Sequence, residues 1–324
     1  MTTTYSWQVL RAGRFLLDGG GMFGIIPRSV WTRAITPDDQ NRIELMHNCL
    51  LLKGGGRRVI IEAGTGDKLD QKMSGIFGLD GRTIESEVAA AGTDPAEVTA
   101  AIVSHLHFDH AGGLTRRCRD GETPDWTAGP REASGDSDEV KLTFPNAEVI
   151  VQRQEWSDAI KNDAVMTRTY YRDHLLPLEL PLAGERPRLR LIESPIPFPV
   201  GHRPGRDETP TSPVTNRLTE VLPGISVFLV PGHTWGQQAV LFADDQGRTI
   251  VFTPDVMPTR YHIGQPYSLG YDVEPYTSMI TKKWLLSEAA DRGWHLLLDH
   301  EPGEPLFRVE RTAKGWFELI EVRQ

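Results

Sequence analysis

The stretch Ser104-His105-Leu106-His107-Phe108-Asp109-His110-Ala111-Gly112-Gly113 limits what this chain can become more than any other. An apolar run, Ala101-Ile102-Val103, leads into it, so the histidines and the aspartate leave the end of a buried strand. Neutral imidazole nitrogens and carboxylate oxygens are the donors that hold zinc-type ions. In an extended segment, His105 and His107 point to one side and can share an ion. Asp109 falls in the same phase, whereas His110 must project elsewhere, most simply toward a second ion. The Gly112-Gly113 pair allows a tight turn afterwards. A solvated loop with chance histidines is the alternative, and the downstream recurrence of ligand-type residues speaks against it.

Those residues are His233, Asp255 and His300. Each follows an apolar run, where a strand breaks into a loop and a rigid scaffold carries its site residues. Singly, such a histidine is more often a satisfied edge residue and such an aspartate a turn former. In this order after His105-x-His107-x-Asp109-His110 they form one constellation.

The motif His105-Leu106-His107-Phe108-Asp109-His110 resembles the signature of the metallo-β-lactamase superfamily of metal-dependent hydrolases. Pro231-Gly232-His233-Thr234, Thr253-Pro254-Asp255 and His300 resemble its later motifs. The resemblance implies that His105, His107 and His233 hold one ion. Asp109, His110 and His300 would hold a second, and Asp255 would bridge. It implies two divalent ions, zinc first, with manganese, iron or cobalt as alternatives. Glu62 stands where relatives carry an aspartate that buttresses the site, Trp235 where proline is common, and Pro254 where glycine is common. The remaining histidines, His47, His174, His202, His262 and His295, read as structural or surface residues.

At 324 residues the chain suits one large α/β domain with insertions, and 39% hydrophobic residues suffice for its core. A net charge of −9 without a basic run argues against a nucleic-acid partner. Cys49 and Cys118 lie in unlike contexts and outside any CxxC pair, so no disulfide framework is expected. The start, Met1-Thr2-Thr3-Thr4-Tyr5, reads as no signal peptide. No stretch approaches the roughly 18 apolar residues that cross a bilayer. The expectation is a soluble, cytoplasmic protein with no membrane partner; a homodimer stays open.

Strand patterns run over Trp7–Leu17, Leu45–Lys53, Arg57–Glu62, Ala100–Ser104, Glu148–Gln152 and Arg188–Ile192. In the second half they cover Ile225–Val230, Gln238–Phe242, Arg248–Phe252, Trp294–Leu298, Leu306–Arg311 and Trp316–Val322. Helices are expected over Thr83–Ala91, from Asp94-Pro95-Ala96-Glu97, over Gln154–Asn162 and over Pro275–Arg292. Gly19-Gly20-Gly21 reads as a turn. Met22-Phe23-Gly24-Ile25-Ile26-Pro27 reads as either a packing loop or a pocket wall. Each half thus folds as a sheet with helices outside, which suggests a mixed α/β, four-layer αββα sandwich, in agreement with the resemblance. It is a single domain over residues 1–324, with polar, proline-rich surface insertions near 116–141 and 195–220.

Two divalent ions roughly 3.5–4 Å apart would yield a bridging hydroxide that attacks a carbonyl or phosphoryl group, with Asp109 orienting it and carrying a proton. Asp18-Gly-Gly-Gly-Met-Phe-Gly, Asn48-Cys49-Leu50-Leu51, Gly66-Asp67-Lys68 and Gly236-Gln237-Gln238 resemble the branch with quorum-quenching N-acyl-homoserine lactonases. That branch implies a small-molecule lactone or ester substrate. The alternatives are organophosphate hydrolysis and, from another class, an iron-dependent redox member. A glyoxalase-II-type thioesterase would need a basic patch, and a non-enzymatic scaffold is at odds with the full ligand set. The branch also implies a tyrosine that steadies the substrate carbonyl. Tyr170 or Tyr171 is the candidate, with a packing role as the alternative reading. Trp235, Tyr261 and Tyr267 neighbour the motifs and could form an apolar wall.

Overall fold

The computed structural model describes residues 3–130, 132–161, 169–198 and 214–323. The chain forms two compact units. One comprises Ser6–Leu16 and Met46–Ile192; the other comprises Met1–Tyr5, Leu17–Leu45 and Glu193–Gln324.

The first unit is built on a six-stranded sheet in the order Ser6–Asp18, Arg42–Gly54, Arg57–Ile61, Ala100–Ile102, Glu148–Gln152, Leu189–Ile192. From Arg57–Ile61 onward all neighbours are parallel. The central strand, Ala100–Ile102, is buried at every residue. Parallel strands covered on both faces read as unbroken apolar runs, which is how Ala100-Ala101-Ile102 reads. Ile84 and Val88 of one helix and Trp156 and Ala159 of another bury against Leu51, Ile60, Ala101 and Val149. Thr83 and Asp94 each cap a following helical turn through a reciprocal capping box, the latter as Asp94-Pro95-Ala96-Glu97 anticipates.

The second unit carries a seven-stranded sheet: Thr219–Leu222, Ile225–Leu229, Gln238–Ala243, Thr249–Thr253, His295–Leu298, Leu306–Arg311, Phe317–Glu321. Thr249–Thr253 and His295–Leu298 are its parallel pair, with Thr253 opposite Leu298, so both strands end on the same side. The helix Pro275–Arg292 joins them, with Pro275 at its first turn and Gly293 left-handed at its end. Its Trp284, Leu285, Leu286 and Ala289 pack on Phe228, Val251, Leu296 and Phe307.

Three local departures from the sequence reading appear. Gly19–Phe23 is a short helix rather than a turn, because the Asp18 carboxylate accepts from the Gly21 N–H at 2.8 Å and caps it. Met22 and Phe23 are buried while Ile25 is 70% exposed, so the apolar loop divides between core and surface. The polar insertion near 116–141 holds a small three-stranded sheet of Thr115–Arg117, Trp126–Thr127 and Glu139–Leu142, whose strands are too short for an alternation to register. Asn162 and residues 199–213 of the proline-rich excursion lie outside the described residues. Among the described residues, no helix is long and apolar enough to cross a membrane.

Lys68 fastens the loop after Arg57–Ile61 to the exit of the histidine motif. Its buried ammonium donates to Gly112 O and Thr115 O, each at 2.6 Å. Burial lowers its pKa from 10.5 to about 8, against the opposing pull of Asp173 and Asp67. The unfolded chain therefore binds more protons than the folded one between those two values, and stability rises with pH across that window. Chemical denaturation of the wild type and Lys68→Met at a series of pH values checks this. Wild type should gain on the variant, by up to about 3 kcal/mol, as pH rises from about 8 to 10.5. A constant difference between the two would show that Lys68 is not the titrating group.

Candidate metal centre

In the first unit the motif begins where Ala100–Ile102 ends. The Ser104 N–H donates to Glu62 Oε1 at 2.6 Å, and the Leu106 N–H donates to Glu155 Oε1 at 3.0 Å. Two buried carboxylates thus grip the backbone on either side of His105. His105 Nδ1 lies 2.9 Å from Ser104 Oγ, and its Nε2 lies 3.1 Å from His107 Nδ1. Two nitrogens so close suit ligands each about 2 Å from one ion.

The extended phase ends at His107, whose carbonyl accepts from the His110 and Ala111 N–H groups, each at 3.0 Å. Phe108–Ala111 is a helical turn, so Asp109 does not continue the alternation of His105 and His107. His110 Nδ1 faces Glu62 Oε2 at 3.2 Å, and its Nε2 lies 3.8 Å from Asp109 Oδ2. Glu62 therefore holds the backbone of one ligand residue's neighbour and the ring of another, from a left-handed backbone with φ 66°. A non-glycine residue held there is strained, a cost that surrounding contacts must offset. Gly112 and Gly113 need no positive φ. They are required by approach, since a Cβ on either would overlap the carbonyl of Thr65 or Ala63.

Tyr170 rather than Tyr171 adjoins the imidazoles: its ring centroid is 5.0 Å from that of His107. Its hydroxyl donates to Glu155 Oε1 at 3.2 Å. Burial, with the Glu155 carboxylate beside it, pushes the phenol pKa up, so the group stays protonated. Tyr171 instead packs on Phe108 and His174.

In the second unit, His233, Asp255 and His300 follow the strands Ile225–Leu229, Thr249–Thr253 and His295–Leu298. The parallel pairing puts Asp255 and His300 at one sheet end. Asp255 Oδ2 lies 3.1 Å from His233 Nε2, while its Oδ1 lies 3.5 Å from His300 Nε2. Asp255, Asp299 and His300 offer ligand atoms within 4.8 Å of one another. The far nitrogen of His233, Nδ1, meets Asp272 Oδ1 at 2.9 Å, and Asp272 Oδ2 accepts from the Leu269 N–H at 3.1 Å. This fixes the imidazole with Nε2 toward Asp255, as outer carboxylates do for metal-binding histidines. With its amide oriented to satisfy both neighbours, Gln237 donates to Val230 O at 3.1 Å and accepts from the Asp255 N–H at 3.3 Å.

Two buried histidines outside the motifs, His47 and His262, serve packing. His47 bonds to Gly13 O and Thr65 Oγ1 and stacks on Phe15. His262 bonds to Met22 O and Thr259 Oγ1, and burial lowers its pKa to about 3, so it is neutral. His202 lies outside the described residues. Sequence reasoning missed Glu155, Asp272 and Asp299. Asp299 could have been found from its place beside His300. A glutamate in an amphipathic helix reads as surface, and Asp272 is 39 positions from His233, so neither gives a local signal.

The donor sets in both units, imidazoles and carboxylates gathered at strand ends and tethered from behind, fit divalent transition-metal ions. Residues 42–290 match the metallo-beta-lactamase superfamily. The chain belongs to that superfamily. Among relatives, it is 24% identical over 193 residues to N-acyl homoserine lactonase AiiA of Bacillus thuringiensis subsp. kurstaki, covering 59% of this chain. That match spans only about half, 52%, of the relative. Among solved structures, a probable metal-dependent hydrolase from Staphylococcus aureus superposes with a TM-score of 0.74 at 23% identity, covering 100% of both chains. AidC, a dizinc quorum-quenching lactonase in complex with a product, gives 0.67 at 16% identity, covering 100% of this chain and 99% of AidC. At such identities the likeness establishes the fold.

Asp272→Ala frees the His233 ring to rotate while leaving the candidate donor residues themselves unchanged. Competition with a chromogenic chelator should find zinc affinity reduced by about 10–100-fold. Affinity equal to wild type would exclude Asp272 from the site.

Proposed function

We propose that the imidazoles and carboxylates of the metal motifs hold two divalent ions, zinc by their donor chemistry. On this reading the protein is a hydrolase of small-molecule lactones or carboxylic esters. The chain then works as one domain over residues 1–324. Asp255 carries the argument. Its two oxygens face two different imidazoles, at 3.1 Å and 3.5 Å, an arrangement suited to a carboxylate between two cations. His105, His107 and His233 would hold the first ion, and Asp109, His110 and His300 the second. When bound, such ions supply Lewis acidity and a water of lowered pKa.

The remaining work falls to side chains. Asp109 Oδ accepts the proton of the attacking water and returns it to the leaving alkoxide oxygen, so no separate strong acid is needed. Tyr170, kept protonated, is the donor to the substrate carbonyl oxygen, which requires it to exchange Glu155 for substrate. Family membership and the likeness to AiiA and AidC, both lactonases, support this reading.

Elemental analysis of freshly purified protein should find two divalent ions per chain. Asp255→Ala should lose metal and activity together, whereas Asp109→Asn should lower kcat by about 100-fold or more while keeping part of the metal. At most one ion after reconstitution with excess metal would reject the binuclear centre.

Substrate class is checked by kcat/KM for acyl-homoserine lactones, an aryl ester and a phosphotriester. Lactones should be preferred by at least about tenfold. A preference for the phosphotriester, with lactones at background, would replace lactonase by organophosphate hydrolase and leave the metal ligands as assigned.

A further inference from the structure

The strand His295–Leu298 ends in three consecutive buried residues that could each carry charge, Asp299, His300 and Glu301. All three are fastened to the loop that carries Asp255. The Asp299 N–H donates to Thr253 O at 3.3 Å, and the His300 N–H donates to Pro258 O at 3.0 Å. Glu301 Oε2 accepts from the Arg260 N–H at 2.9 Å, and its Oε1 accepts from the Arg260 guanidinium at 3.0 Å. Glu301 is thus occupied by a cation of the protein itself. Asp299 and His300 instead face Asp255, and the three offer ligand atoms within 4.8 Å of one another.

His300 Nε2 lies 3.5 Å from Asp255 Oδ1 and 3.7 Å from Asp299 Oδ2. Both separations are too long for a hydrogen bond. They are close to the roughly 3–3.5 Å between donors that share one ion at about 2 Å. The choice of nitrogen separates this carboxylate from one that only positions a ring. Asp272 meets His233 at Nδ1, 2.9 Å away, while Nε2 is the nitrogen turned to Asp255. Asp299 faces the same nitrogen of His300 that Asp255 faces, the side where an ion belongs. Two carboxylates buried this close also repel each other unless positive charge stands with them.

We propose that Asp299 is itself a metal ligand, supplying Oδ2 beside Asp255 and His300 to the ion that His300 holds. The proposal rests on the two-ion reading above and adds a donor that the sequence motifs leave out. A second carboxylate puts more negative charge next to that ion and strengthens the hold on a dication. It also makes the donor set richer in oxygen, which suits manganese better than an imidazole-rich set does. Loss of Asp299 therefore costs manganese more than zinc.

The test uses the full-length protein, stripped of metal and reloaded with divalent cobalt, manganese or zinc, with circular dichroism confirming the fold of each variant. In Asp299→Cys a thiolate takes the place of the carboxylate. Contact with the ion then shows as a near-ultraviolet thiolate-to-cobalt charge-transfer band that wild type lacks. Asp299→Asn should weaken one of the two ions by about 100-fold or more, at or beyond the upper end of what an outer carboxylate explains, and leave the other within about threefold. That loss should be larger for manganese than for zinc. Cobalt uptake equal to wild type in Asp299→Cys without the band would overturn the proposal, as would manganese and zinc affinities unchanged in Asp299→Asn. Lactone turnover, measured alongside, separates this outcome from the functional reading. Wild type that holds two ions yet opens no lactone ends the lactone reading, and the cobalt band still decides for or against Asp299. Wild type that holds at most one ion rejects the binuclear centre, and the same band then reports whether Asp299 touches the ion that remains.

Discussion

Buried carboxylates hold the histidines of this protein in place, and the rest of the site depends on them. Glu62 takes the Ser104 N–H and the His110 ring, Glu155 takes the Leu106 N–H and the Tyr170 hydroxyl, and Asp272 takes the far nitrogen of His233. Each lies almost wholly out of solvent, where an unsatisfied carboxylate would be costly. Their hydrogen bonds offset that cost, and the same bonds fix which imidazole nitrogen is offered to an ion. Removing one partner would leave a buried charge as well as a loose ligand, so stability and site geometry are coupled.

The sheets contribute the spacing. The candidate site residues follow the carboxyl ends of strands, the end where open α/β sheets present their sites. In the second unit the parallel pair Thr249–Thr253 and His295–Leu298 brings Asp255 and His300 to the same edge, although 45 positions separate Thr253 from Leu298. In the first unit, the fully buried strand Ala100–Ile102 gives the motif a floor that cannot shift without disturbing the core. Outside this frame the chain tolerates polar insertions, one of which closes into its own small sheet.

Much of this could be read directly. The strands and the long helix Pro275–Arg292 follow from apolar runs, apolar faces and turn residues. The ligand-type residues announced themselves because imidazoles and carboxylates clustered after buried strands have few other uses. Helical structure at Phe108–Ala111 and at Gly19–Phe23 was not legible. In both, a local hydrogen bond to His107 O or to Asp18 overrode an extended or glycine-rich pattern.

The sequence by itself determined the chemistry: which donors are present, and that each follows an apolar strand. Tertiary structure alone decided how those donors are held. Glu155, Asp272 and Asp299 carry no local signal as strong as a histidine doublet, because hydrogen bonds such as that between His233 and Asp272 join residues 39 positions apart. It also decided that Tyr170, not Tyr171, adjoins His107, and that Trp235 is fixed by Glu274. Periodicity records which face of an element is buried; it is blind to which distant carboxylate waits there, since that depends on how the strands are ordered in space.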